Sequence, residues 1–145
     1  MATTRTRKLP QLLVLDHNLE DRAVFRNYNA KKDDIAHVLG VDSISILPGV
    51  RPEARGVTLY ADDEGMDNDG YHLNNLVNPF IKESDLLFMA RHGGPRGPIV
   101  AQAEKSHSRA MLKKLFAAED KRSGDGSKEY TSMLDAALKR WDESD

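Results

Sequence analysis

The chain has 145 residues, of which 39% are hydrophobic and 30% are charged, and this size and balance are typical of one globular domain with polar tails. The 21 Lys and Arg residues against 23 Asp and Glu residues give a net charge of -2, so no global positive field favours nucleic acid as a partner. Cysteine is absent, which excludes disulfides, thiolate nucleophiles and cysteine-based zinc sites and predicts a cytoplasmic location.

Residues 1–10 are basic and rich in hydroxyl groups, and we expect them to form a disordered tail. The apolar run from Leu12 to Leu15 is too short for the core of a signal peptide or for a membrane span, so no membrane partner is predicted. The rest of the chain is predicted to divide into an α+β domain over residues 11–103 and a helical extension over residues 104–145.

Residues 11–28 have two interpretations. Apolar residues that nearly alternate on both sides of a run of turn-forming residues predict a β-hairpin, which we prefer. The alternative is a strand followed by the first helix of a doubly wound fold, because four apolar residues also lie at helical spacing. These residues are Leu19, Ala23, Val24 and Tyr28.

A short helix and two strands are predicted next. Residues 31–39 carry apolar side chains on one side and are followed by Gly40, which is typical of a helix that ends at a glycine. The alternating residues 43–47 and the apolar residues 57–61 predict strands. The Pro, Gly and Arg residues between them, 48–56, predict a mobile hairpin loop.

Residues 71–83 are predicted to contain a helical turn that breaks at Pro79, because the residue before a proline disfavours the helical conformation. Two further apolar runs, residues 86–90 and 99–101, predict a second hairpin joined by the Gly- and Pro-rich loop from Arg91 to Pro98. Both hairpins would contribute antiparallel pairs to one sheet.

Two amphipathic helices are predicted after the last strand. The first is marked by Met111, Leu112, Leu115 and Phe116, and the second by Tyr130, Met133, Leu134, Ala137, Leu138 and Trp141. We expect this helical hairpin to pack against the sheet of its own chain, and the alternative is a partner-binding surface formed by Tyr130, Leu134 and Trp141. The elements together predict an α+β fold, with a mainly antiparallel sheet of about five or six strands, one short inserted helix and a C-terminal helical hairpin.

An acidic turn is expected after the strand of residues 57–61. The nine residues that begin with Asp62, Asp63 and Glu64 carry five carboxylates, whose oxygens suit Mg²⁺ or Ca²⁺. The spacing does not fit the twelve-residue calcium loop, because that loop would place ligands at Gly65 and Leu76. A solvated turn is the preferred interpretation and a metal site formed by the three carboxylates is the alternative.

The second candidate site is the loop that contains Arg91, His92, Gly93, Gly94 and Arg96. Guanidinium groups beside glycines with free backbone amides could form an anion-binding concavity for a nucleotide, a phosphate or an acidic side chain of a partner. The first three residues are similar to the strand-then-Arg-His-Gly motif of the histidine phosphatases, in which the histidine accepts phosphate and the arginine binds it. The chain that follows is too short for the rest of that catalytic domain.

Residues 13–22 resemble the first strand and helix of response-regulator receiver domains. Those domains need clustered carboxylates for Mg²⁺ and a later strand that ends in a lysine. His17 stands where the second acid would be, and no strand ending in a lysine follows Asp62, so the resemblance fails along the chain.

The order of elements over residues 11–103 resembles an uncharacterised family of small domains from bacteriophages, bacteria and some algae and their viruses. The most specific part is a strand that ends in Asp63-Glu64-Gly65 and is followed by Leu73-Asn74. The resemblance implies an α+β fold and no particular reaction. The loop from Arg91 to Pro98 and the two C-terminal helices distinguish this chain from shorter members of the family.

The leading functional hypothesis is a non-catalytic binding or adaptor protein of viral or mobile-element origin. It would recognise a protein or an anionic ligand through the loop from Arg91 to Arg96 and through the helix of Trp141. One alternative is an enzyme acting on phosphorylated or nucleotide substrates, with Mg²⁺ on the acidic turn and phosphate at Arg91 and His92. It requires both turns to lie at the same end of the sheet. Another alternative is an oligomeric structural protein, a homo-oligomer assembled through the C-terminal helices.

Overall fold

The computed structural model describes residues 7–64, 73–85, 95–124 and 126–144. Its strands are Leu12–Leu15 (β1), Ala23–Arg26 (β2), Ile44–Ile46 (β3), Val57–Asp62 (β4) and Ile99–Ala103 (β5). They form one sheet of five strands in the order β2-β1-β5-β4-β3, and all neighbouring strands are antiparallel. The predicted α+β class and the mainly antiparallel sheet are therefore confirmed.

The hairpin interpretation of residues 11–28 is confirmed. β1 and β2 pair with Leu12 opposite Arg26 and Leu15 opposite Ala23. The turn begins at Asp16, whose carboxylate accepts a hydrogen bond from the Asn18 N–H at 2.9 Å, and this local bond competes with helix formation. The strand-helix alternative is wrong, and so is the receiver-domain resemblance, because that fold requires parallel strands.

β5 lies at the centre of the sheet. Ala101 is opposite Leu13 of β1 on one side and opposite Leu59 of β4 on the other. A strand has two hydrogen-bonding edges, so β5 has no edge left for the predicted hairpin with residues 86–90. That pairing is wrong, and residues 86–90 themselves lie outside the described part of the chain.

One face of the sheet is covered by the helix Ile35–Leu39 (α1). The Asp34 carboxylate accepts a hydrogen bond from the Ala36 N–H at 3.0 Å and caps the start of the helix, and Gly40, with a φ of 72°, ends it. Ile35 and Leu39 pack against Leu12 and Val100. The short helix predicted before Gly40 is therefore confirmed, with a later start.

The opposite face carries a 3₁₀ helix, Asn75–Phe80, and two α-helices, Arg109–Ser123 (α2) and Glu129–Glu143 (α3). Pro79 lies within the 3₁₀ helix, so the predicted break at this residue is wrong. The Asp120 carboxylate of α2 accepts hydrogen bonds from the N–H groups of Tyr130 and Thr131, both at 2.9 Å, and so caps the start of α3. The predicted helical hairpin is confirmed.

The larger core cluster lies between this face and the helices. Among its buried members are Leu13, Leu59, Ala101, Phe80, Phe116 and Leu134. This face of the sheet and the helices that cover it therefore share one core. None of the described helices has both the length and the apolar character needed to cross a membrane.

The two ends of the described chain are held together. The Arg7 guanidinium lies 4.2 Å from the centre of the Trp141 ring and donates hydrogen bonds to the carbonyls of Trp141 and Ser144, at 2.7 and 2.6 Å. Burial acts to raise the pKa of Asp142, but hydrogen bonds from Arg109 and from the Arg7 N–H outweigh it and lower that pKa. Part of the predicted tail, from Arg7 onward, is therefore packed on α3, while residues 1–6 lie outside the described chain.

Candidate functional site

Three segments of the chain meet where β1 and β4 end and β5 begins. Leu15 and Ala61 both lie opposite Ile99, on its two sides. The acidic turn after β4 and residues 95–98 before β5 therefore lie at the same end of the sheet. We call this surface the acidic end of the sheet, and define it by Asp16, His17, Asp62, Asp63, Glu64, Leu73, Asn75 and Arg96.

A buried asparagine holds the acidic end together. Asn74 is 1% exposed, and its side-chain amide donates to the carbonyls of Leu15 at 2.9 Å and Gly97 at 2.7 Å. Its side-chain oxygen accepts from the Leu76 N–H at 3.1 Å, and its own N–H donates to the Pro95 carbonyl at 2.7 Å. One side chain thus links β1, the segment before β5 and the start of the 3₁₀ helix. The signal in the sequence is an asparagine just before a helix, a common N-cap.

The exposed part of the acidic end includes an apolar residue. Leu73 is 52% exposed and pairs with Arg96 through an isolated antiparallel bridge. Beside it, His17 donates from Nε2 to the side-chain oxygen of Asn75 at 2.8 Å. Leu73 therefore presents an apolar surface among polar side chains that are already held in place.

Asp62 ends β4, and Asp63 and Glu64 form the turn that follows it. Asp62 accepts a hydrogen bond from the Glu64 N–H at 3.1 Å, as expected for a solvated Asp-led turn. Within residues 7–64, 73–85, 95–124 and 126–144, no group of three or more His, Asp or Glu side chains is arranged to hold a metal ion. The metal site at Asp62, Asp63 and Glu64 stays a prediction, because Asp67 and Asp69 of the same acidic run lie outside the described residues.

The predicted anion-binding loop is described only in part. Arg91, His92, Gly93 and Gly94 lie outside the described residues. Arg96 is half-buried next to Leu73 at the acidic end. The anion-binding loop therefore stays a prediction.

The three residues predicted to bind a partner pack within their own chain. Leu134 is 1% exposed, and Tyr130, 9% exposed, donates its hydroxyl to the Asn75 carbonyl at 2.8 Å. Burial, with smaller contributions from Glu119 and Glu129, raises the pKa of Tyr130 to about 12. Trp141 donates from its indole nitrogen to the Lys8 carbonyl at 3.0 Å. The apolar face of α3 therefore serves the chain's own core, the alternative that we preferred.

Comparisons with protein-family models, with curated proteins and with solved structures give no significant match for this chain. The resemblance to the phage-associated family stays a prediction.

Proposed function

We propose that the protein is a non-catalytic binding or adaptor protein that recognises a protein partner at the acidic end of the sheet. The observation that carries this proposal is that the buried Asn74 joins β1, the segment before β5 and the start of the 3₁₀ helix at this end of the sheet. Because these segments are fixed before binding, less conformational entropy is lost when a partner docks.

The chemistry of the surface favours a protein over a small ligand. Protein interfaces commonly combine an apolar contact with a surrounding polar rim. Leu73 supplies the apolar contact, and His17, Asn75 and Arg96 lie around it. The exposed carboxylates Asp63 and Glu64, together with the other acids of this end, favour a partner that carries cationic side chains.

The other hypotheses have less support. An enzyme that uses Mg²⁺ would need a set of carboxylates that the described residues do not form. A homo-oligomer assembled through the C-terminal helices would need apolar faces that are buried within the chain. A cytoplasmic location and a viral or mobile-element origin remain part of the proposal, resting on the missing cysteines and on the family resemblance.

The experiment compares two variants that each replace an exposed aliphatic side chain by a hydroxyl-bearing one. Leu73→Ser changes the acidic end, whereas Ile46→Thr changes a residue on β3 that is 64% exposed and lies outside it. Proteins captured by the wild-type chain would be purified, and their dissociation constants measured by calorimetric titration against all three proteins.

We expect Leu73→Ser to weaken the purified partner's binding by about tenfold or more, as is typical for a central apolar contact. Ile46→Thr should leave the dissociation constant within about twofold, because surface changes away from an interface have small effects. Equal affinity for wild type and Leu73→Ser would contradict a binding surface at the acidic end.

A further inference from the structure

A second surface lies at the opposite end of β4. It is a groove of about 550 Å³ between the loop that joins β3 to β4 and the helix α2. Its lining residues include three cations, Arg51, Arg55 and Lys114, and one carboxylate, Glu53. Its apolar lining residues are Ala110, Met111, Leu115 and Ala118. We call this surface the basic groove.

The loop that forms one wall of the groove is anchored. Arg51 donates its backbone N–H to the Phe80 carbonyl at 2.8 Å and its Nε to the Ile81 carbonyl at 3.0 Å. Ala54 is 2% exposed and donates to the Arg51 carbonyl at 2.9 Å. These bonds hold the loop that the sequence predicts to be mobile. They also position the Arg51 guanidinium while using only one of its five donors among the described residues.

We propose that the basic groove binds an acidic peptide segment of another protein. Three cations against one carboxylate give a local positive charge on a chain whose net charge is -2. Guanidinium groups match carboxylates through paired hydrogen bonds, so Arg51 and Arg55 suit Glu or Asp side chains.

The apolar part of the groove identifies the ligand as a peptide rather than a simple anion. Met111 is a flexible side chain that adapts to different apolar partners, and Leu115 packs beneath it in the core. A peptide that alternates acidic and apolar residues would satisfy both parts of the groove, whereas inorganic phosphate would contact only the cations. This site lies apart from the acidic end, and its argument does not depend on the function proposed there.

The test uses the full chain and a synthetic, fluorescein-labelled peptide in which Glu alternates with Leu. Binding is measured by fluorescence anisotropy for the wild type and for two charge reversals, Lys114→Glu and Lys113→Glu. Lys114 lines the groove, whereas Lys113 is an exposed neighbour on the same helix outside the lining, so the two variants share their change in net charge. A second peptide with Gln in place of Glu, inorganic phosphate and a single-stranded oligonucleotide serve as competitors.

We expect the Glu peptide to bind the wild type, and Lys114→Glu to raise its dissociation constant by about tenfold or more, because the change places a like charge against the ligand. Lys113→Glu should change the dissociation constant by less than about threefold, as a rim charge does. The Gln peptide should compete weakly. If Lys114→Glu lowers the unfolding midpoint, Lys114→Gln replaces it, with a smaller expected loss.

Four results would overturn the proposal. Two concern direct binding: the wild type does not bind the Glu peptide, or the two lysine variants lose affinity for it equally. Two concern competition: the Gln peptide competes as well as the Glu peptide, or phosphate or the oligonucleotide displaces the labelled peptide at a lower concentration than unlabelled Glu peptide does. Leu73→Ser should bind the Glu peptide as the wild type does. A wrong proposal for peptide binding in the basic groove can therefore be distinguished from a wrong proposal for partner binding at the acidic end.

Discussion

The two ends of β4 are built in different ways. The acidic end depends on one buried amide, Asn74, which gathers three segments, and its carboxylates after β4 are consecutive in the sequence. The basic groove combines a loop with a helix, so that Arg51 and Lys114 meet from distant parts of the chain. A chain with a net charge of -2 thus carries two surfaces of opposite local charge. Local charge, rather than total charge, is what a partner meets.

The largest effect is expected from Asn74→Ala. The change leaves the Leu15 and Gly97 carbonyls and the Leu76 N–H without their bonds to this side chain. Unfilled hydrogen bonds of buried groups should lower the free energy of unfolding by about 2 to 4 kcal/mol. Urea unfolding at neutral pH measures this loss.

The matched control is Asn75→Ala, because Asn75 is exposed and its side chain bonds only to His17 among the described residues. Its loss should stay within about 0.5 kcal/mol. Similar losses for both variants would contradict the view that Asn74 organises the acidic end.

The next largest effect is expected at the loop of the basic groove. Gly49 has a φ of 81°, and an added Cβ would lie 2.5 Å from Cγ and 2.6 Å from Cβ of Asp85. Gly40 has a similar φ of 72° but has no atom within 4 Å of an added Cβ. Gly40→Ala should cost about 1 kcal/mol for the left-handed backbone alone, and Gly49→Ala about 2 kcal/mol or more because of the clash.

Urea unfolding of both glycine variants gives this difference directly. The two substitutions share their backbone cost, so the excess loss in Gly49→Ala reports how firmly the loop is held against Asp85. Equal losses would mean that the loop moves to accept the methyl group, and the groove would then lack a fixed wall.

The smallest expected effect is a change in the free energy of unfolding between neutral and acidic pH, and it depends on His107. His107 follows β5 at the groove's end of the sheet and is buried, with Nε2 at 2.9 Å from the Ala101 carbonyl, to which it donates. Burial lowers its pKa, and the hydrogen bond to the Ala101 carbonyl opposes this shift in part. The unfolded chain therefore takes up the proton first, near its ordinary pKa of 6.5.

The contribution of His107 to stability is thus complete above about pH 6.5 and is lost as the pH falls toward its lowered folded pKa. His107→Gln keeps a donor for Ala101 but does not titrate. Between about pH 7 and pH 5, the variant should lose less unfolding free energy than the wild type. Urea unfolding at both pH values measures these losses. If the wild type and His107→Gln lose the same unfolding free energy, the buried imidazole of His107 is not the source of the pH dependence.

The sequence predicts the acidic end better than the basic groove, and the reason is physical. Consecutive carboxylates after an apolar run identify a strand followed by a turn, whatever its neighbours are. Lys114 looks like any solvated lysine of an amphipathic helix until the fold brings it to Arg51 and Arg55. The bonds from Asn74 to Leu15 and Gly97 are not predictable from the sequence, because a buried amide has no periodic signal.

The pairing of the strands is also only partly predictable from the sequence. Hairpins such as β1 and β2 follow from alternation around a turn, and this prediction is confirmed. The central place of β5 does not follow from sequence, because an apolar run buried on both faces is compatible with any neighbour. Pairing it with the nearest apolar run, residues 86–90, was therefore wrong, since β1 and β4 occupy both of its edges.

The contact between Arg7 and Ser144 makes the chain suitable for circular permutation. The guanidinium nitrogen of Arg7 and the carbonyl oxygen of Ser144 are 2.6 Å apart, so the two ends of the described chain lie close together. A short linker joining these residues, with new termini opened between α2 and α3 near Gly126, would give a circular permutant with the same core. The same closeness would let the domain be carried within a loop of a host protein without forcing the host's flanking residues apart.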